Sequence, residues 1–374
     1  MGSSINLGRI FGIPIRLHYT WFLIFVLITV ALLAYFPQAY PLWQRVSLGI
    51  AASLLFFVSI TTHEIAHSLI AINNGIPVKG ITLFVFGGVS QITKEATRPI
   101  VELLVAVVGP LSSLIIAGIF YFFRSMVIGL AGLDTTSIVV TGLDWLAFIN
   151  VMLALFNLIP GFPLDGGRIF RAILWMRTHD YSRATRIATL TGRGIGFLFI
   201  FGGILVMVLA RQWFNGLWIA FIGWFLENAA AASYRQALLR EALHGFTARD
   251  IMSEECPFIP RQLSLGQLVR DYILPTGRRC FIVIEDSKLQ GIVTLRDIKP
   301  IPQERWDSIL IDEIMTPLSK LKSAQPNQPA VSLLEEMDEF NINQMPVLEG
   351  DKVIGMVARD GLIRFLRTRA ELGI

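Results

Sequence analysis

Apolar residues run almost unbroken through six stretches of the chain, at 17–36, 46–72, 100–123, 142–160, 194–210 and 213–232. About 20 apolar residues in a helix cross a hydrocarbon layer, so each stretch is read as a membrane span. Only Arg211 and Gln212 part the last two, which reads as a tight hairpin or as one buried unit with a break. Cations gather on alternate sides of these spans. Arg9 and Arg16 precede the first, and Lys79, Lys94 and Arg98 lie between the second and third. Arg168, Arg171, Arg177, Arg183, Arg186 and Arg193 follow the fourth. The positive-inside tendency then puts both termini in the cytoplasm. Residues 80–92, GITLFVFGGVSQI, break the helical pattern with β-branched and aromatic residues around a Gly pair. That is strand and turn chemistry, either an edge strand that pairs with an extended peptide or a structural hairpin in the bundle. Beyond about residue 244 the pattern changes to short strands alternating with helical stretches, as in an ordinary soluble α/β unit.

Composition narrows the class. With 53% hydrophobic and 16% charged residues and a mean hydropathy of +0.59, an ordinary soluble enzyme is excluded. A polytopic membrane protein with a soluble part fits. The formal charge of +4 is loop charge facing the cytoplasm, and no basic stripe with interleaved aromatics points to nucleic acid. Cys256 and Cys280 both lie in the soluble third without CxxC spacing, so neither a disulfide framework nor a zinc knuckle is expected. No cleavable signal peptide is expected either, because the first apolar run is long enough to span.

The chemistry concentrates in His63-Glu64-Ile65-Ala66-His67, inside the second stretch. Two His four residues apart lie on one helix face, and their rings can converge on one Zn²⁺. Glu64 beside them can take a proton from water activated by the metal. The bland alternative is a His pair packed against polar neighbours in a bundle. Charge counting places His63 roughly 13 Å below the cytoplasmic boundary, at 1.5 Å per residue. A catalytic zinc needs a third protein ligand. The stretch from Asn157 to Gly167, NLIPGFPLDGG, offers Asp165 on a turn where Pro160 and Pro163 stop the helix and Gly161, Gly166 and Gly167 let it bend. Asp165 is thus a candidate ligand or a solvated turn residue. Asn157 is a candidate donor to a developing oxyanion or a helix–helix hydrogen bond. His18 reads as an interfacial anchor, His179 and His244 as solvated residues. Glu102, near the start of the third stretch, is either interfacial or a support to the site.

HEIAH in a membrane span followed by NLIPGFPLDGG resembles the site-2 protease family of intramembrane zinc metalloproteases. The resemblance covers roughly residues 1–235, with GIPIRLHYT near the start and VGPLSS at 108–113. It implies His63, His67 and Asp165 as zinc ligands and Glu64 as general base. It also implies Asn157 as transition-state stabiliser and the Gly87-Gly88 segment as the strand that binds substrate. No PDZ domain is inserted between the second and fourth spans.

The last third holds a tandem repeat. Ala248 to Met252 (ARDIM) and Ile311 to Met315 (IDEIM) each precede an apolar strand, CFIVIED or QMPVLEG, and then a Gly-led strand, with an offset of ~63 residues. The pair resembles CBS motifs, which implies adenosyl-nucleotide binding and self-association. A Gly-x-x-Thr-x-x-Asp run there would contact ribose and phosphate, and Thr294 and Asp297 fit it. Ala358 and the early Asp360 make the second copy depart from it. The alternative is a pure dimerisation module.

The expected architecture is therefore a polytopic α-helical membrane domain of about six transmembrane helices, with a short β-segment between the second and third, plus a soluble α/β CBS pair. Its parts are 1–235 (metalloprotease), 236–246 (linker), and 247–306 and 307–374 (the two CBS motifs). The expected function is zinc-dependent hydrolysis of a peptide bond in or near the transmembrane segment of a single-span protein in the bilayer. The cytoplasmic CBS pair is expected to sense ATP, ADP or AMP, or to form a homodimer. The rivals are a CBS-regulated transporter or channel, and a catalytically silent relative that binds membrane helices.

Overall fold

The computed structural model describes residues 4–85, 87–92, 96–253, 257–285, 288–317, 320–340, 342–350 and 352–372. Lys94 and Cys256 lie outside these described residues. The chain divides into two units, Met1–Ala237 and Leu238–Ile374.

In the first unit, a four-stranded sheet is assembled from two distant parts of the chain. β1 (Ser4–Ile10) pairs antiparallel with β2 (Ile13–His18). β2 then runs parallel to β3 (Val78–Phe84), which pairs antiparallel with β4 (Gly87–Ile92). The order β1-β2-β3-β4 leaves β4 on an edge. Alternation does the packing: Ile13, Ile15 and Leu17 of β2 are buried with Ile81 and Leu83 of β3 and with Phe57 and Ile60.

The helices are α1 (Thr20–Tyr35), α2 (Leu42–Asn73), α3 (Pro99–Ala131), α4 (Ile138–Asn157), α5 (Asp165–Thr178), α6 (Tyr181–Leu209) and α7 (Trp213–Leu243). Among the described residues, four helices are long and apolar enough to cross a membrane: Leu42–Asn73, Pro99–Leu130, Ile138–Asn157 and Tyr181–Leu209. Four of the six expected spans meet that measure of length and composition. The 17–36 run yields only the 16 residues of α1, roughly 24 Å of helix against a layer of about 30 Å. The 213–232 run lies in α7, whose apolar half carries Asn215, Glu227 and Asn228. The arginines placed in a loop after the fourth span sit instead on α5 and the start of α6. Asp180 caps α6 there by accepting from the Arg183 backbone N–H at 2.9 Å.

Hydroxyl and amide side chains tie the apolar helices together. Thr29 Oγ1 lies 3.0 Å from Ser53 Oγ between α1 and α2, and Asn150 Nδ2 of α4 donates to Ser59 Oγ of α2 at 3.3 Å.

The second unit contains two small sheets. β5 (Phe258–Pro260), β6 (Cys280–Glu285), β7 (Lys288–Thr294) and β8 (Thr316–Pro317) form one, and β9 (Gln344–Glu349) with β10 (Lys352–Ala358) the other. The two repeats are interleaved. β8, from the second repeat, closes the first repeat's sheet against β7, while Ser253 of the first bridges to Met356 of the second. The cores follow suit. Ala248 and Ile251 pack with Ala330, Leu333 and Met345, whereas Ile311 packs with Ile259, Leu265 and Phe281.

Candidate active site

α2 presents His63 and His67 one turn apart, each only 4% exposed. Their Nε2 atoms lie 3.1 Å from one another, and each lies 3.1 Å from Asp165 Oδ2, at the first turn of α5. The rear nitrogens are held too. His67 Nδ1 donates to the Val105 carbonyl at 2.6 Å, and His63 Nδ1 lies 2.9 Å from Ser113 Oγ. With its proton on Nδ1, His67 turns a lone pair toward Asp165, so electron-rich atoms meet at one point. Among the described residues this trio is the cluster that could hold a metal ion. Tetrahedral zinc with bonds of about 2.0–2.1 Å sets neighbouring ligand atoms roughly 3.3–3.4 Å apart, and the observed 3.1 Å triangle fits that donor set.

A cavity of about 530 Å³ opens beside the trio, lined by His63, Glu64, His67, Gly87, Gly88, Asn157 and Asp165 among others. The seven residues expected to form the catalytic site thus line one space. Its walls are mostly apolar, with Phe56, Phe57, Leu153, Trp218 and Phe221, the usual make-up of a ligand site with few polar groups.

β4 runs along the mouth. A Cβ on Gly88 would stand 2.6 Å from Glu64 Cγ and 3.3 Å from Leu83 Cδ2, so only glycine lets the strand come this close. The Ser90 backbone N–H faces the Glu64 carboxylate, and Ser90 Oγ lies 2.8 Å from Ser68 Oγ of α2. By the two-residue period, Gly88 presents its backbone groups to the same side as Ser90. Asn157, at the end of α4, donates from Nδ2 to its own helix at Leu153 O, 2.9 Å away.

The turn before Asp165 departs from expectation in its cause. Gly161, Gly166 and Gly167 do not adopt positive φ, and the last two begin α5. Their role is close packing: a Cβ on Gly166 would meet the Leu158 and Ile159 carbonyls, and one on Gly161 would stand 2.6 Å from Gly192 Cα. Glu102 faces the protein interior. It is 1% exposed and pairs with Arg171 of α5, whose Nε donates to Oε1 at 2.6 Å. The Arg171 guanidinium in turn lies 4.8 Å from the ring centres of both Phe162 and Tyr181.

Several participants had no signal in the sequence pattern. Val105 acts through its carbonyl, which no side chain advertises, and Ser113 sat unremarked in VGPLSS. Arg168, counted only as loop charge, lines the cavity. His179 and His244 are exposed, as expected.

In the second unit, Thr294 and Asp297 line a separate cavity of about 750 Å³ with Arg279, Lys320, Lys322 and Arg359. The two form a capping box: the Thr294 backbone N–H and Oγ1 donate to Asp297 Oδ2 at 2.9 and 2.8 Å.

Comparison with known proteins gives the family of each unit. The model of peptidase family M50 matches residues 51–135 and 125–202, and that of the CBS domain matches 248–301 and 311–368. A protein from Synechocystis sp. named as a zinc metalloprotease is 35% identical over 99% of this chain and 97% of its own length. Rip3 of Mycobacterium tuberculosis, also named as a zinc metalloprotease, is 32% identical over 98% of this chain and 93% of its own. The solved site-2 protease from Methanocaldococcus jannaschii is 30% identical, covering 62% of this chain and 95% of that one, with a TM-score of 0.44.

Proposed function

The chain belongs to peptidase family M50, as a site-2 protease-like zinc metalloprotease and membrane protein with two CBS domains, and from that premise we propose that it cuts a peptide bond in or near the membrane span of a single-span substrate. The observation that carries the reading is the 3.1 Å triangle of His63, His67 and Asp165 atoms sharing one apolar-walled cavity with Glu64 and the free edge of β4.

His63, His67 and Asp165 would hold the zinc. When bound, zinc supplies Lewis acidity and makes hydroxide accessible near neutral pH. Glu64 takes the proton from the attacking water and returns it to the leaving amine. Its carboxylate is steadied by the Ser90 N–H. Asn157 offers the second N–H of its amide to the developing oxyanion. The substrate helix must unwind first, because a helix hides its scissile carbonyls in its own hydrogen bonds. β4, which starts at Gly87 and Gly88, then receives the extended segment as an added strand on its edge away from β3, which replaces those lost bonds. The apolar walls keep bulk water from the exposed backbone.

On the family resemblance, the cut releases a cytoplasmic fragment of the substrate. The CBS pair is read as a sensor of an adenine nucleotide: Arg279, Arg296, Lys320, Lys322 and Arg359 line the cavity that holds Thr294 and Asp297 and would meet its phosphates. Its self-association into a homodimer is carried by the family resemblance.

The test is cleavage of a generic single-span protein by the detergent-purified chain, with the product mapped by mass spectrometry. The expected cut lies within or beside the span and is abolished by a zinc chelator. A cut confined to soluble loops, or one indifferent to the chelator, contradicts the reading.

A further inference from the structure

One face of α3 carries Glu102, Val105, Gly109 and Ser113, spaced three and four residues apart. That spacing stacks them along a single stripe. Each acts on a different part of the site. Glu102 accepts from Arg171 and so fastens α5, the helix that begins with Asp165. The Val105 carbonyl holds His67 Nδ1 at 2.6 Å. Gly109 presents a bare Cα: a Cβ there would overlap His67 Nε2 and lie 2.8 Å from His63 Nε2. Ser113, fully buried, meets His63 Nδ1 at 2.9 Å.

We propose that this stripe is the positioning half of the metal centre, with Ser113 orienting His63 and Gly109 keeping clear the volume the ion needs. The proposal rests on the reading of His63, His67 and Asp165 as zinc ligands.

The argument for Ser113 is its departure from habit. Many hydroxyls in these helices bond back to the carbonyl four residues earlier, as Ser59, Thr61, Thr62, Ser68 and Ser125 do, although Ser53 meets Thr29 of a neighbouring helix. Ser113 reaches across to another helix instead. An imidazole ring can rotate and can carry its proton on either nitrogen. A partner on Nδ1 fixes the ring's orientation, and where that partner accepts from Nδ1–H, Nε2 faces the metal with its lone pair. His67 receives this from a backbone carbonyl, an acceptor only; His63 depends on one side chain. The argument for Gly109 is steric. The residue lies against the ligand nitrogens themselves, and nothing larger leaves room between them.

The experiment measures zinc affinity by chelator competition on the full detergent-purified chain, comparing native protein with Ser113→Ala, Ser113→Thr and Gly109→Ala. Thermal unfolding of the metal-free forms and the visible spectrum of the cobalt-loaded forms are recorded alongside. Ser113→Ala is expected to weaken zinc by about 10–100-fold, with unfolding of the metal-free form unchanged and an altered cobalt spectrum. Ser113→Thr, which keeps the hydroxyl, is expected to restore most of the affinity. Gly109→Ala is expected to take up no stoichiometric zinc; should it fail to fold, the Ser113 pair decides. Native affinity and a native cobalt spectrum in Ser113→Ala overturn the proposal while one zinc per native chain leaves the ligand reading standing. A native protein without zinc sinks the ligand reading itself, and the proposal with it.

Discussion

The cavity beside His63 and the cavity beside Thr294 use their polar atoms in opposite ways. Around His63, each polar group is held from behind: Val105 holds His67, Ser113 meets His63, and Ser90 faces Glu64. Their reactive atoms are left turned toward one another, inside apolar walls. Around Thr294, the two motif residues face each other, Oγ1 donating to Asp297 Oδ2 at 2.8 Å, and close the start of a helix. The same box closes the helix that follows Thr247, where Thr247 Oγ1 donates to Asp250 at 2.7 Å. The cationic lining of the second cavity comes from Arg279, Arg296, Lys320, Lys322 and Arg359, the last of which also pairs with Asp338. A motif is ready for chemistry when the fold supports it from outside the motif; where the motif residues satisfy one another, the same letters serve local structure first.

The sharpest way to break this contrast is at Glu64. Glu64→Gln keeps shape and hydrogen bonding but cannot take a proton, and cleavage should fall by about 10²–10⁴-fold. Unchanged cleavage by the purified variant would end its role as base and favour a scaffold that merely binds helices. Asn157→Ala should cost about 10²–10³-fold in the rate at saturating substrate if its amide serves the oxyanion. If its bond to Leu153 is its whole role, the rate stays near native.

The next effect is on stability. Glu102 and Arg171 are buried together, at 1% and 7% exposure. Glu102→Gln strands the guanidinium, and thermal unfolding in detergent should report a loss of about 3–5 kcal/mol. A loss under 1 kcal/mol would mean that Phe162 and Tyr181 alone hold Arg171. In the second cavity, Thr294→Ala removes a cap and should cost about 1 kcal/mol. Isothermal titration with ATP then sharpens the comparison. Lost stability with native binding assigns Thr294 to structure, whereas lost binding assigns it to the ligand as well. The smallest effect is at Asp250. The Thr247 backbone N–H, and then its hydroxyl, hold the Asp250 carboxyl below its ordinary value. Its folded pKa is depressed, so its contribution is complete above the ordinary carboxylate range and fades as pH falls through and below that range. Asp250→Asn should flatten that part of the stability profile; an unchanged profile would remove Asp250 from the account.

What the sequence made legible was what repeats at short range. His63 and His67 share a helix face because they are four residues apart, and an ionisable cluster is costly inside an apolar helix. Asp165 stood out as the carboxylate after two prolines. The tandem repeat could be read from its offset, but its interleaving could not: that Ser253 joins Met356 and Thr316 joins Ile292 is a long-range pairing. The pairing of β2 with β3 escaped for the same reason, since two helices intervene between these parallel strands. The α3 stripe was hidden differently. Gly109 and Ser113 look like small packing residues, Val105 acts through its backbone, and Glu102 is explained only by Arg171, on a helix that the charge count had read as a loop. The Gly pair at the start of α5 was noticed for the wrong reason, since contact and not turn freedom requires it.

The most direct test of the central claim is metal content. Native chain, Glu64→Gln and Asp165→Ala would be purified in zinc-replete detergent buffer and their zinc counted per chain. About one zinc in the native protein and in Glu64→Gln, with zinc lost or readily stripped in Asp165→Ala, is the result that three converging ligand atoms demand. A native chain without zinc, or an Asp165→Ala chain that holds it as firmly as the native, would contradict the account at its centre.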